Sequence, residues 1–322
     1  MKLGFIGAGK IAHTVADTLK KLNDKEIELY AVSARELKKA EEFKEKYSFK
    51  KSYGSYEDLL NDEEVDTVYI NLVISLHAKY IKEALNKGKN VICEKAFTEN
   101  AKQAKECIEL AKKKKLYLMD ATWTRFMPSR SLINELVATG IIGKVFMVNA
   151  NLGYKIDEVP RLQDKNLGGG ALLDVGVYPL NFIFMVLGTH YLKLKSMASF
   201  TDSDVDESLF ANFIYPTNIT ASMMCTMDGQ TNRNGYIYGD KGYIEVININ
   251  NPEVINVYQN TFKDHKMELV SSTKIRHKVN GYEYEFLQAL DDIKNNRIES
   301  SLYDFDEILK VMETIDLIKK NL

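Results

Sequence analysis

Seven residues into the chain the sequence reads Gly7-Ala8-Gly9-Lys10-Ile11-Ala12, a G-x-G-x-x-A turn. An apolar run, Lys2–Ile6, leads into it, and an amphipathic stretch, Ile11–Leu22, follows. The first glycine permits a tight strand-to-helix turn, the second leaves room for a pyrophosphate at the backbone, and the small third residue lets helix and strand pack closely. Phosphates then rest on the amides at the positive end of the helix. Alone the motif is weak, but at the head of a β-α-β pattern it is a strong signal. Gly7, Gly9, Lys10, Ile11 and Ala12 are therefore the expected dinucleotide loop.

The pattern continues through the first third of the chain. Strand candidates Glu28–Val32, Val65–Leu72, Asn90–Cys93 and Leu116–Met119 alternate with helix candidates Leu37–Tyr47, His77–Lys87 and Ala101–Lys114. Such alternation means a parallel sheet with crossover helices, here a doubly wound Rossmann domain over residues 1–120. The basic run Lys112–Lys115 reads as a solvated helix end matched to the dipole. From Val145 the pattern changes to strand candidates joined by short polar turns: Val145–Leu152, Lys195–Phe200, Ser208–Tyr215, Ile219–Thr226, Gly235–Tyr238 and Gly242–Ile247. They predict a mainly antiparallel sheet. With helices at Ser129–Thr139, Val177–Leu187, Tyr282–Lys294 and Phe305–Lys320, residues 121–322 form an α+β substrate domain, and the whole is an α/β protein.

At 322 residues, a prior of roughly 150 residues per domain also gives two domains. A formal net charge of −2 gives no electrostatic footprint for nucleic acid or an anionic membrane. The 3 cysteines show no C-x-x-C spacing, which fits a reducing compartment and no metal site. The apolar start is broken by Gly7, Gly9 and Lys10, and the longest apolar stretch, Ala171–Gly188, contains Asp174 and Asn181. The expectation is a cytoplasmic protein with neither leader nor membrane span.

Three further segments carry chemistry. The second strand ends Val32-Ser33-Ala34-Arg35, with no carboxylate for a ribose diol. A hydroxyl at Ser33 and a forked guanidinium at Arg35 suit a 2′-phosphate, so NADP is preferred over NAD. Glu94-Lys95 closes the fifth strand, where strand ends face the ligand crevice. A cation there stabilises a developing oxyanion and relays a proton. Ser75 is placed to cap the next helix, with His77 in its first turn at the crevice edge. Finally, Gly168-Gly169-Gly170 lets backbone come close to something, and Asp174 and Tyr178 follow at i, i+4. If that stretch opens a helix, both face one side.

Taken in order, these motifs resemble the Gfo/Idh/MocA oxidoreductase family along the whole chain. Gly7-x-Gly9-x-x-Ala12 is similar to the family's cofactor loop, and Glu94-Lys95 to its E-K-P motif, with Ala96 in place of the proline. Ser75-Leu76-His77 resembles the end of A-T-P-x-x-x-H, with Asn71-Leu72-Val73 standing where A-T-P would. Gly169-Gly170-x-Leu172-x-Asp174-x-Gly176 resembles G-G-G-x-L-x-D-x-G, with Tyr178 where many members carry histidine. Tyr178, Trp123-Thr124-Arg125-Phe126-x-Pro128 and Val159-Pro160-Arg161 narrow the resemblance to the branch of dihydrodiol dehydrogenase, glucose–fructose oxidoreductase and xylose dehydrogenase.

The resemblance implies Lys95 and Tyr178 as the proton-handling pair, with Asp174 supporting. Leu72, His77, Glu94, Trp123 and Arg125 fall on the cofactor side, the last two lining the nicotinamide, and Arg161 on the substrate side. It implies hydride transfer between NAD(P) and a secondary alcohol or carbonyl of a sugar, polyol or vicinal diol. The sheet of the second domain would be open and used for dimerisation, giving a homodimer or higher homo-oligomer. Two rivals remain. One is a regulatory protein of the same fold that binds the dinucleotide without catalysis. The other is an enzyme that never releases its cofactor.

Overall fold

Six parallel strands, in the order β3-β2-β1-β4-β5-β6, make the first sheet of the computed structural model, which describes residues 1–260 and 266–322. They are β1 (Lys2–Ile6), β2 (Glu28–Ser33), β3 (Lys51–Tyr53), β4 (Thr67–Ile70), β5 (Asn90–Glu94) and β6 (Leu118–Ala121). The connecting helices are α1 (Lys10–Leu22), α2 (Leu37–Tyr47), α3 (Tyr56–Asn61), α4 (Ile74–Asn86) and α5 (Ala101–Lys114). Strand order reverses between β1 and β4, which in a doubly wound sheet marks the ligand crevice. Parallel sheets are covered on both faces, so their strands are continuously apolar. Accordingly β4 is buried at every residue, and Phe5 packs against Phe49 at 5.1 Å and Tyr69 at 5.0 Å between ring centres.

Fold class and most elements follow the sequence reading. Several boundaries do not, among them that of the sixth strand, which is Leu118–Ala121 rather than Leu116–Met119. The fourth strand ends at Ile70, and α4 starts at Ile74 rather than His77, with Val73 as its N-cap. Ser75 therefore lies inside the helix and does not cap it. The short β3 and α3 have no strand or helix pattern strong enough to announce them. The Lys112–Lys114 run does close α5, with Lys115 in the left-handed conformation as its cap.

The chain divides into two compact units: Met1–Trp123 with His277–Met312, and Thr124–Arg276 with Glu313–Leu322. The tail expected to complete a 121–322 domain thus returns in part to the first unit. Helices α6 (Pro128–Ala138) and α7 (Val177–Leu187) belong to the second unit, whereas α8 (Glu283–Lys294) belongs to the first. There Tyr117 donates to Asp292, and Phe286 meets the edge of Tyr69.

The second unit holds an eight-stranded sheet ordered β14-β13-β12-β11-β7-β10-β9-β8. Its strands are β7 (Val145–Gly153), β8 (Lys193–Phe200), β9 (Asp206–Ile214), β10 (Thr220–Thr226), β11 (Gly235–Gly239), β12 (Gly242–Ile247), β13 (Val254–Asn260) and β14 (Met267–Lys274). All pairs are antiparallel except β7 with β10. Side chains alternate across the pleat. Leu209, Ala211, Phe213, Ala221, Met223 and Cys225 are buried on one face, under α7. Lys165–Leu187 is long and apolar enough to cross a membrane, but its apolar part is 83% buried, as a core helix beneath a sheet would be.

Candidate active site

In the first unit, the carboxyl ends of β1, β4 and β5 put three loops at one sheet edge. Gly7 follows β1 at φ +110°, and a Cβ there would lie 2.6 Å from Asn71 Oδ1. Its amide donates to the Ser33 carbonyl, and the Asn71 amide donates to the Ile6 carbonyl, so the turn is braced from both neighbouring strands. Gly9 caps α1 with no side-chain hydrogen bond, and a Cβ there would meet nothing within 4 Å. Asn71 Oδ1 is buried without a hydrogen-bond partner among the described residues. An open helix end and a bare glycine together fit a dinucleotide phosphate group. Lys10 and Arg35 are exposed, Ile11 and Leu72 half-buried, and Ala12 fully buried against the sheet.

Two residues expected at this edge are committed elsewhere. The Ser33 hydroxyl is fully buried and donates to the Phe5 carbonyl, 3.1 Å away, so it braces β1 against β2. Arg35 is exposed past the end of β2, next to the exposed Glu36. His77 was expected at the crevice edge. Instead it is fully buried, with Nδ1 2.9 Å from the Ala96 carbonyl and Nε2 3.0 Å from the Leu72 carbonyl. Burial lowers its pKa while the carbonyls raise it, and the ring lies between the β4 loop and the β5 loop rather than facing solvent.

Lys95 is half-buried at the end of β5. Beside it Glu94 accepts the Tyr69 hydroxyl on Oε1 and the Lys95 amide on Oε2, the latter at 3.3 Å. Burial raises the Glu94 pKa, while Tyr69 and Lys95 oppose the rise. Trp123, 5% exposed, stacks on Tyr282 with ring centres 3.9 Å apart and planes 11° from parallel. Sequence pattern does not mark Tyr282, which reads as an ordinary helix start.

In the second unit, Leu172–Gly176 forms a π-helical turn that runs into α7. Such turns often mark functional sites. Asp174 lies within it and Tyr178 is the second residue of α7. The i→i+5 bonding widens the turn, so the i, i+4 face rule does not carry across it unchanged. Asp174, 7% exposed, is paired to the Arg161 guanidinium at 2.9 Å. Tyr178 is 8% exposed.

The glycines before this turn bring the chain's own segments close. A Cβ on Gly169 would lie 2.5 Å from the Leu162 carbonyl oxygen, so the Arg161 turn can pack there. Gly170, at φ +102°, leaves room for Asp206, whose Oδ2 accepts the Leu172 amide at 2.5 Å. Arg125 was expected beside the nicotinamide. It is fully buried, and its Nε donates to Asn181 Oδ1 of α7 at 2.7 Å.

Asp206 makes the second unit sensitive to pH. Burial raises its pKa to about 6, outweighing the Leu172 amide and the Lys319 charge. An acid raised above its unfolded value of about 3.9 binds more protons in the folded state between those two values. Stability is therefore fully present below about pH 4 and falls as pH rises to about 6, by about 3 kcal/mol at most. Asp206→Asn keeps an acceptor for Leu172 and removes the charge. Thermal melts should show the variant more stable than the parent above pH 6 and level with it near pH 4. Equal melting at both pH values would refute this.

Residues 1–121 match the family model described as "Oxidoreductase family, NAD-binding Rossmann fold", and residues 131–245 match the "GFO/IDH/MocA C-terminal domain". A trans-1,2-dihydrobenzene-1,2-diol dehydrogenase of Danio rerio is 35% identical over 247 residues, 76% of this chain and 74% of that protein. Its namesake in Xenopus tropicalis is 32% identical over 320 residues, 97% of this chain and 96% of that protein. Among solved structures, the 3-ketoreductase KijD10 of Actinomadura kijaniata, in complex with NADP and TDP-benzene, superimposes with a TM-score of 0.88. It is 22% identical, over 100% of this chain and 97% of that one. A levoglucosan dehydrogenase in complex with NADH and levoglucosan gives 0.87 at 16% identity, over 100% and 96%. At these identities the two structures speak to the fold.

Proposed function

The chain belongs to the Gfo/Idh/MocA family of oxidoreductases, and from that premise we propose that it moves a hydride between NADP(H) and a secondary alcohol or carbonyl of a vicinal diol, sugar or polyol. The observation that carries the reading is Lys95, half-buried at the carboxyl end of β5, on the same sheet edge as the Gly7–Ala12 loop. When bound, the nicotinamide supplies the hydride acceptor or donor. The residues that fit its phosphates are Gly7, Gly9 and the first turn of α1, with Arg35 for a 2′-phosphate.

Tyr178 exchanges the substrate's hydroxyl proton, and the Lys95 ammonium stabilises the oxyanion as it forms. Asp174, charge-paired with Arg161, supports Tyr178 and keeps a carboxylate at the substrate. The diol preference rests on the dihydrodiol dehydrogenases, which are 35% and 32% identical to this chain in Danio rerio and Xenopus tropicalis. The 3-ketoreductase and the levoglucosan dehydrogenase keep sugars within range.

Absorbance of reduced nicotinamide reports the test, across a panel of cyclic diols, sugars and polyols with NADP and with NAD. Turnover is expected on a member of the panel, and calorimetry should show NADPH binding at least about tenfold tighter than NADH, about 1.4 kcal/mol. Tight NADPH binding with no turnover on any member would favour the regulatory reading. Equal affinity for the two cofactors would remove the role of Arg35.

We also infer a homodimer joined through the uncovered face of the large sheet. Met197 is 77% exposed there, Phe210 lies opposite it across the β8–β9 pair, and Tyr236, Tyr238, Tyr243 and Tyr258 form an aromatic row. An apolar face of that extent marks an association surface. A monomer in sedimentation velocity at micromolar concentration would exclude it. Three unpaired, buried cysteines and the near-neutral charge support a cytoplasmic location.

A further inference from the structure

Beneath the ends of β4, β5 and β6 the first unit holds three carboxyl groups. Glu94 ends β5 and is 8% exposed; Asp120, in β6, is 3% exposed and accepts the Thr122 hydroxyl at 2.9 Å. Glu285, from the first turn of α8, is fully buried, and neither of its oxygens has a hydrogen-bond partner among the described residues. The packing of α8 places it there. Tyr282, one turn earlier, stacks on Trp123 just past β6. Phe286, the next residue, meets the edge of the Tyr69 ring at 5.2 Å. The Tyr69 hydroxyl in turn donates to Glu94. A chain of contacts thus runs from α8 through Tyr69 to Glu94, and from Glu94 to the Lys95 amide.

A carboxyl group that has no donor to accept from, in a site closed to solvent, keeps its own proton. Burial, with the Glu94, Asp120 and Glu283 carboxyls, pushes Glu285 well above the usual range. The groups facing it are Tyr69 on β4, Glu94 on β5, Asp120 on β6 and Glu283 on α8. Glu283 is occupied otherwise, accepting the amides of Val279, Asn280 and Gly281. One negative charge at Glu94 is then matched to Lys95. A second, at Glu285, would repel it.

We propose that Glu285 is a positioning residue for Lys95 that acts through Glu94: buried and unpartnered on α8, whose Phe286 packs on Tyr69, it backs the Tyr69–Glu94 pair and so keeps Glu94 on the Lys95 amide. The proposal rests on the oxidoreductase reading for the meaning of Lys95, and its test has one readout that needs no turnover.

The test is a double-mutant cycle with Glu285→Ala, Glu285→Gln, Glu94→Gln and the Glu94→Gln/Glu285→Ala pair. Two quantities are read: kcat with the cofactor Kd beside it, and the rate at which an amine-reactive ester modifies Lys95, followed by peptide mass spectrometry. Glu285→Ala should lower kcat about tenfold or more with cofactor Kd within about twofold, the signature of a group that matters beyond binding. It should also change Lys95 modification about threefold or more while the exposed Lys20 stays constant, and Glu285→Gln, neutral and of the same size, should restore both. In the Glu94→Gln background Glu285→Ala should cost less than about twofold, because coupled residues are not additive.

Additive effects would overturn the proposal, as would wild-type kcat and Lys95 reactivity in Glu285→Ala. A loss in Glu285→Gln as large as in Glu285→Ala would overturn it too, by showing that the ionised form is needed. Should Glu285→Ala fail to fold, Glu285→Asp, which withdraws the carboxyl by one methylene, takes its place in the cycle with the same criteria. If the parent protein turns over nothing on the panel, the oxidoreductase reading fails alone, and Lys95 reactivity still decides the coupling.

Discussion

Lys95→Met should lower kcat by about 10³-fold and leave NADPH affinity unchanged, and Tyr178→Phe should do much the same. Methionine keeps the apolar stem of lysine and removes only the ammonium. The Glu94–Lys95 contact that shapes the end of β5 is made by the backbone amide, so the substitution leaves it in place. Phenylalanine likewise keeps the ring of Tyr178, 8% exposed in α7, and removes one oxygen. Neither change opens a cavity, so melting temperatures should stay close to the parent's. What each removes is a group that acts on charge forming at the substrate oxygen, worth about 10²–10⁴-fold. The double variant should be little worse than either single one, since groups serving one proton transfer are not additive. Steady-state assays paired with calorimetry separate the two halves of the claim. A near-normal rate in either variant would remove that residue from the chemistry. A lost cofactor affinity would move it to the binding site.

Local pattern makes much of this fold legible in the sequence. The glycine turn, the β-α-β alternation and the lysine at a strand end are signals of a few residues each, and the fold keeps them where the pattern puts them. Ser33, His77 and Arg125 show where such reading stops. A serine that braces its neighbour strand and a serine that meets a ribose have the same local sequence; only the partner, Phe5, distinguishes them. The same holds for His77, whose two carbonyl partners come from separate loops. Arg125 lies in the compact Trp123–Pro128 motif, yet its partner Asn181 is 56 residues away. The return of α8 is the largest omission, because an acidic helix start predicts a solvated end. Glu285 is instead fully buried, and no periodicity announces an acid that packs under a sheet. Gly169 and Gly170 do mark a close approach, but the partners are Leu162, Asp164 and Asp206 of the same chain.

The second glycine of the first loop allows the cofactor site to be removed while the fold is left intact. Gly9 has φ −84° and ψ −174°, ordinary extended backbone, and a Cβ there would meet nothing within 4 Å. It is also the N-cap of α1, with no side chain accepting from the first turn. Aspartate is preferred over glycine at an N-cap, and its charge suits the positive end of the helix. Gly9→Asp should therefore melt at the same temperature as the parent or slightly above it. The same carboxylate would occupy the amides that a pyrophosphate needs and repel its charge. Losing two charge-assisted hydrogen bonds, at about 1.5–3 kcal/mol each, weakens NADPH binding by about 100-fold or more. Gly7→Ala gives the contrast. Its left-handed backbone and the 2.6 Å approach to Asn71 Oδ1 should lower stability and affinity together. Thermal melts and calorimetry on both variants read the difference. NADPH bound by Gly9→Asp at the parent's affinity would mean that the phosphates do not rest on this loop, since no other effect of the substitution compensates for a like charge placed against them.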